Sequence, residues 1–352
     1  MDIGAIEEIV KDAGKIMVEA VRPRVMEKSG HANFCTETDE KIQAYLTKRL
    51  KEILPEASVL GEEDGKDVFT EKMSRGFCFV IDPIDGTSNF IYAYRPSVVS
   101  VGLLKDGKPY MAVIYNPYDD MLFSATKGEG AYMNGERIMS SDEPLADSLA
   151  VFGSAPYYTE FLDKTFDIAR NLLPLCVDLR RSGTAAWDMC CVAMGRCSLY
   201  FEMKIQLWDY AAAALIADEA GCTVTDTEGN PLSYEGPSSV LCRARGVKEI
   251  PGCFRHKTEG LEGARKEIEE IDRQMAALFT RRMKCAESIA DYKYRNGIPI
   301  LDTGREKALI EKNEDHIKNE DIKGHYRRFF KGILDISKEY QKEVIEKKEA
   351  RP

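Results

Sequence analysis

The sequence has only four histidines and two tryptophans, and none of its ten cysteines forms a C-x-x-C pair or stands beside a histidine. Those shortages leave no recognisable zinc site, because such sites are built from thiolate and imidazole at short spacings. The cysteines fall mostly inside apolar runs, with only Cys190 and Cys191 adjacent, so buried reduced thiols are expected. No stretch approaches the run of about 18 apolar residues that a membrane-spanning helix needs. The opening segment, MDIGAIEEIVKDAGKIMVEAV, is amphipathic and of mixed charge, without the basic start and apolar centre of a secretion signal. A cytoplasmic location is the expectation. Positive charge is also in deficit: 49 Lys and Arg against 59 Asp and Glu leave a formal charge of −10. That balance argues against a nucleic-acid or anionic-membrane partner. It leaves small anionic substrates open, since a local cluster of cations or a bound metal suffices for them.

What is present is enough chain for two cores. At 352 residues the chain exceeds what one hydrophobic core usually serves. Up to about residue 250 helix and strand patterns alternate. Helical periodicity covers 2–27 and 38–53. Strand-like runs follow at 77–82, 97–104, 109–116 and 120–126, joined by turn signals such as Lys105-Asp106-Gly107 and Asn134-Gly135. Helices are predicted at 157–171, 184–194 and 209–220, with short strands near 149–153, 176–180, 198–202 and 222–225. Beyond Gly252 strand signals vanish. A linker is placed at 251–260, and helices are predicted at 261–294, 302–314 and 320–348. The first of these would be roughly 50 Å long. A helix of that length cannot bury its whole apolar stripe within one small domain, so a homodimer is expected.

The strongest local signal is Asp82-Pro83-Ile84-Asp85-Gly86-Thr87-Ser88-Asn89, directly after the apolar run at 77–81. A buried strand ends and two aspartates emerge at its tip. Pro83 fixes the backbone between them and Gly86 permits the tight turn that follows. Thr87 and Ser88 then open a turn whose free amides suit a phosphate. Glu62 follows another short apolar run, and Asp209 opens the very apolar helix at 210–217, where an unpaired carboxylate would be costly. An acidic turn capping a helix would explain any one of these, but not three in matching contexts. All the donors are hard oxygens, which favours magnesium over zinc.

These three elements, in this order and spacing, resemble the signature of the inositol monophosphatase family, and the resemblance covers residues 1–250. It implies a layered αβαβα sandwich and a Mg²⁺-dependent phosphatase acting on a small phosphate ester, with two or three ions per site. By position, Glu62, Asp82, Asp85 and Asp209 would be metal ligands, joined by the main-chain carbonyl of Ile84. Thr87, paired with Asp39, would orient the attacking water, and Gly86, Thr87 and Ser88 would hold the phosphate. Glu202 matches the position that binds a substrate hydroxyl. The family includes phosphatases for inositol monophosphate, fructose 1,6-bisphosphate, histidinol phosphate and phosphoadenosine. Glu202 suits a polyol. Lys204, with Arg180, Arg181 and Arg196 in the same stretch, either serves a second phosphate or is solvated surface.

The helical region holds a second constellation. Its first helix sets apolar residues at Ile268, Ile271, Met275, Leu278, Ala286 and Ile289, and Arg265, Arg282 and Lys293 lie on the same stripe. The eleven residues from Arg282 to Lys293 are three helical turns, so both side chains point one way. Ser337 and Gln341 repeat the theme one turn apart on the last helix, among Tyr326, Phe330, Ile333 and Val344. Asp302, Arg305 and Glu306 share a face of the short middle helix. Each alone is explained by a side chain reaching outward from the edge of the stripe. Together they form a polar pocket for a multiply charged anion.

The set resembles the all-helical chorismate mutase family over 261–348, a three-helix domain that dimerises. The resemblance implies that Arg265, Arg282, Lys293, Asp302, Arg305, Glu306, Ser337 and Gln341 bind chorismate, with Lys293 and Gln341 donating to its ether oxygen and no cofactor. Arg265 would reach into the partner's pocket. The implied whole is a bifunctional enzyme. The alternative is a phosphatase, of the histidinol phosphate type for instance, whose helical domain only dimerises it or senses an aromatic metabolite.

Overall fold

The structure is a computed structural model; it describes residues 2–20, 25–27, 34–64, 75–254, 261–300, 303–314, 317 and 319–349. The chain divides into two compact units, Met1–His256 and Lys257–Pro352.

The first unit opens with helix α1 (Ile3–Glu19), a hairpin of β1 (Val25–Glu27) and β2 (Phe34–Thr36), and helix α2 (Glu37–Ile53). The helix predicted to reach residue 27 ends at Glu19: Ala20 is extended and 25–27 pair as a strand. Pro23 explains the error, since a helix interior cannot accommodate it. A seven-stranded sheet follows in sequential order: β3 (Ser58–Gly61), β4 (Phe77–Asp85), β5 (Val98–Lys105), β6 (Lys108–Asn116), β7 (Met121–Thr126), β8 (Gly130–Met133) and β9 (Glu136–Ile138). Only β3 and β4 run parallel. The short helix α3 (Thr87–Ile91) lies between β4 and β5.

The second sheet has the order β11-β10-β12-β14-β13. Its strands are β10 (Leu149–Phe152), β11 (Asp178–Arg180), β12 (Leu199–Ile205), β13 (Thr223–Thr225) and β14 (Ser238–Arg243), threaded with helices α4 (Leu162–Leu172), α5 (Ala185–Ala193) and α6 (Leu207–Glu219). Alternation along β4 sets the layers. Phe79 and Ile81 meet α1 and α2 through Ile9, Ala13, Ile42 and Leu46, while Cys78 and Val80 join a core with Met189 of α5, Tyr200 of β12 and the alanines of α6. The far face of the second sheet, with Leu199 and Phe201, packs on Ile168 and Leu172 of α4 and on Phe254. Helix α6 is apolar all round because it lies between two sheets. The layers are therefore helix, sheet, helix, sheet, helix.

The second unit is α7 (Leu261–Arg295), α8 (Thr303–Glu314) and α9 (Glu320–Glu349). Ala286 and Ala290 of α7 are buried, as are Leu334 and Val344 of α9. The rest of the predicted stripe is not core in the single chain: Ile268, Ile271, Met275, Leu278 and Ile289 are 57%, 46%, 41%, 63% and 44% exposed. No described helix is long and apolar enough to cross a membrane. All ten cysteines are unpaired, but Cys285 is exposed and Cys176 and Cys253 are half-buried, so thiol burial is less complete than expected.

Candidate functional site

In the first unit the parallel pairing of β3 and β4 aligns Gly61 with Ile81, which brings Glu62 level with Asp82 at the strand ends. The turn carrying Glu62 is pinned from α2. Gln43 accepts from the Glu63 amide at 2.9 Å and donates to Asp64 at 3.1 Å, and Gly61 leaves room for it, since a Cβ there would lie 2.4 Å from the Gln43 amide. The β4–β5 ladder slips between Asp82 and Asp85. Within that slip the Ile84 amide donates to the Asp82 carboxylate at 3.0 Å, while the Ile84 carbonyl accepts from the Thr87 hydroxyl at 3.0 Å. Gly86 takes a left-handed φ of 87°, and a Cβ there would fall 2.4 Å from the Thr184 hydroxyl. Helix α3 then opens at Thr87 without a side-chain cap, with Ser88 in its first turn.

Asp85 accepts from the Ala186 and Ala185 amides at 2.6 and 3.3 Å, at the start of α5. Asp209, in the first turn of α6, accepts from the Gln206 amide at 2.7 Å as the return half of a capping box. Asp39 plays the same part on α2 for Thr36 and is 3.3 Å from the Thr87 hydroxyl. Glu202 of β12 is buried, taking the Ala155 amide at 2.7 Å and the Tyr200 hydroxyl at 2.8 Å. A Cβ on Gly153 would lie 1.8 Å from its carboxylate, so only glycine fits beside it.

The electrostatics join these acids into one site. Burial drives the Asp82 carboxyl well above its usual range, and the charges of Glu62, Asp85 and Asp209 push it further. Burial likewise raises Asp209, with Asp85 and Glu62 adding to it. Asp85 is raised by burial, and in addition by Glu202 and Asp188. Asp39 is pushed up to about 7 by burial, against the hydrogen bond from Thr36. Asp82 and Glu62 are in hydrogen-bonding reach of each other, and two carboxylates so placed must share either a proton or a cation. Among the described residues no three acidic, histidine or cysteine side chains stand at coordinating distance, so ligation would draw them inward. The donor set nonetheless fits a hard divalent ion: oxygen only, mutually repelling and desolvated.

Some members of the site were not read from the sequence. Asp188, buried in α5 and raised to about 7 by desolvation, adds a further acid facing Asp85 and Glu202. A lone carboxylate inside the apolar run 185–193 was its available signal. Tyr157 lies in the field of Asp209, Glu62, Glu202 and Asp85. Of the candidate cations, Arg181 acts on Glu202 and Asp188 and donates to the Ser154 hydroxyl at 3.1 Å. Arg180 instead pairs with Asp178 at the surface, and Lys204 sits over the Tyr158 ring at 4.2 Å.

In the second unit Ser337 and Gln341 are 6% and 8% exposed, on the same buried stripe as Leu334 and Val344. The Gln341 carbonyl oxygen is shut off from solvent without a hydrogen-bond partner among the described residues. Burial pulls the Arg282 guanidinium below its usual pKa, and its Nη1 donates to the Ile333 carbonyl at 3.4 Å. Lys293 donates to the Ile300 carbonyl at 2.6 Å. Glu306 is held by both its oxygens at 3.1 Å from Lys338, a partner the sequence did not reveal. Arg305 stands in the first turn of α8, and Asp302 lies outside the described residues. Arg265 is exposed near the start of α7, seventeen residues before Arg282, or about 25 Å along the helix.

The pattern of the inositol monophosphatase family matches residues 3–260, and that of chorismate mutase type II matches residues 264–342. An inositol monophosphatase of Dictyostelium discoideum is 36% identical over 243 residues, which is 67% of this chain and 88% of that protein. Nus factor SuhB of Vibrio cholerae is 34% identical over 226 residues, covering 63% of this chain and 83% of its own. The crystal structure of extragenic suppressor protein SuhB from Bartonella henselae superposes with a TM-score of 0.65 at 28% identity, covering 74% of this chain and 99% of that one.

Proposed function

Since the chain belongs to the inositol monophosphatase family and carries a chorismate mutase type II domain behind that region, we propose that it is a bifunctional enzyme: a Mg²⁺-dependent phosphatase for a small phosphate monoester and a mutase turning chorismate into prephenate. One kind of observation carries both halves: buried charge or buried polarity that the protein itself does not neutralise. Carboxylates that raise one another's pKa favour a divalent cation among them. A sealed glutamine oxygen and a desolvated arginine on apolar stripes favour a polar ligand.

In the phosphatase, Glu62, Asp82, Asp85, Asp209 and the Ile84 carbonyl would hold two or three magnesium ions. When bound, these lower the pKa of water and neutralise the phosphate oxygens. Thr87, placed between Asp39 and the Ile84 carbonyl, orients the attacking water. The uncapped amides of Thr87 and Ser88, after the left-handed Gly86, receive the phosphate. Glu202 keeps lone pairs for a substrate hydroxyl beyond those used by Ala155 and Tyr200, which suits inositol monophosphate. With Lys204 engaged by Tyr158, Arg181 is the cation best placed for a second phosphate, as in fructose 1,6-bisphosphate.

In the mutase, Arg282 and Arg305, with Arg265 of a second copy, clamp the two carboxylates and hold the reactive conformer. Lys293 and Gln341 donate to the ether oxygen as its C–O bond breaks, and Ser337, Asp302 and Glu306 complete the pocket. A millionfold acceleration needs about 8 kcal/mol, within reach of positioning and electrostatics together.

The full-length protein, assayed with Mg²⁺, should release phosphate from inositol monophosphate or fructose 1,6-bisphosphate and consume chorismate in the same preparation. Loss of either activity from properly folded protein would remove that half of the proposal. The exposed stripe on α7, and Arg265 standing too far along the helix to join its own Arg282, support a dimer. Arg265→Ala and Arg282→Ala should each be mutase-dead alone. Mixed one to one and allowed to exchange, they should recover about a quarter of the wild-type rate, because about half the dimers would be mixed and each would hold one complete pocket. No recovery after demonstrated exchange would place Arg265 outside the shared site.

A further inference from the structure

A cavity of about 380 Å³ opens beside the second sheet; none of the site's acids lines it, and Arg243 at the end of β14 does. Arg243 is only 7% exposed. Its Nη1 donates to the Val247 and Lys248 carbonyls at 3.2 and 3.1 Å. Nε is sealed from solvent without an acceptor, and Nη2 makes no hydrogen bond to the described residues. Nε and Nη2 are the two donors of one guanidinium edge, the edge that grips a carboxylate with two parallel hydrogen bonds. A buried arginine normally spends that edge on an acidic side chain, because a desolvated charge with unmet donors is costly. Among the described residues no carboxylate relieves the desolvation of Arg243.

The rest of the lining narrows the ligand. Ile250 and Phe254 give an apolar wall, with the Phe254 ring fixed edge-on to Phe201 at 5.1 Å between centroids. Lys248 adds one cation, while Glu228 and Glu249 bring two acids to the same lining. Acidic side chains beside the two cations, one of them Glu228 at 4.0 Å from Lys164, make this a mixed lining rather than the all-basic one that suits a dianionic phosphate. We propose that this cavity binds a small organic monocarboxylate with an aromatic or branched apolar body, its carboxylate on Nη2 of Arg243, the donor of that edge not sealed off, and its body against Ile250 and Phe254. A cavity of this volume holds a single ring with its acid group.

The test is calorimetric titration of the full-length protein with phenylacetate, and with inorganic phosphate for contrast. Arg282→Ala is included so that binding in the helical unit does not contribute. Wild type and Arg282→Ala should bind phenylacetate alike. Ile250→Trp, which fills the apolar wall and leaves Arg243 untouched, should weaken binding at least tenfold, and Arg243→Gln should do the same. Far-UV spectra and melting midpoints establish that the variants are folded. Should one not fold, the other carries the comparison. Equal phenylacetate affinity in wild type and a folded Ile250→Trp or Arg243→Gln overturns the assignment, as does an absence of binding to wild type. Phosphate displacing phenylacetate at equal concentration would show an unselective anion hole and overturn the ligand class. None of these readouts requires the phosphatase or mutase reading to hold.

Discussion

Asp85→Asn should lower phosphate release on the order of a thousandfold at saturating Mg²⁺, equivalent to about 4 kcal/mol, while making the metal-free protein more stable. The two effects have one cause. The Asp85 carboxylate is desolvated and faces Glu202 and Asp188, so removing its charge relieves repulsion. An asparagine oxygen still accepts from the Ala185 or Ala186 amide at the start of α5, so the local fold has a substitute. What is lost is one ligand of the proposed magnesium site. Wild type should therefore gain thermal stability on adding Mg²⁺, and Asp85→Asn should gain much less. The measurement is a pair of melting curves with and without Mg²⁺ beside a steady-state assay. Near-normal turnover in the variant, or an undiminished Mg²⁺-dependent gain, would refute the ligand assignment.

Gln341→Glu should make the mutase pH-dependent in one direction only. Glutamine donates through its amide at every pH, so the wild-type rate should not vary with the ionisation of this group. A glutamate there donates only while protonated. At a position 8% exposed on an apolar stripe, burial raises a carboxyl pKa, so the protonated form would persist above the ordinary glutamate value of about 4.3. Activity should be near wild type at the acidic end and fall as pH rises, by on the order of a hundredfold once the carboxylate forms. A flat pH–rate profile in the variant would count against Gln341 as the donor to the ether oxygen.

The segment 82–89 was legible because its chemistry is local. Proline, glycine and two aspartates at a strand end have few other uses, and the structure shows the slipped ladder and left-handed glycine that the spacing requires. The three helices of the second unit were legible from periodicity, to within a residue at each end. Strand β14 was missed, though it pairs with both β12 and β13, because its polar opening at Ser238 and Ser239 masks a short apolar centre. The pairing of Lys338 with Glu306 depends on how α8 meets α9, and no spacing within either helix encodes it. The exposed half of the α7 stripe marks a limit of another sort. Apolar periodicity records that a face must be covered, not whether the cover comes from the same chain.

Helix α2 carries Asp39 and, one turn later, Gln43, the first beside Thr87 and the second gripping the turn of Glu62. Ile42 and Leu46 on its underside are wedged against Phe79 and Ile81 of the strand that delivers Asp82. One stiff helix thus sets the separation between the proposed water-orienting pair and the turn of Glu62, since Asp39 and Gln43 ride on the same 1.5 Å steps.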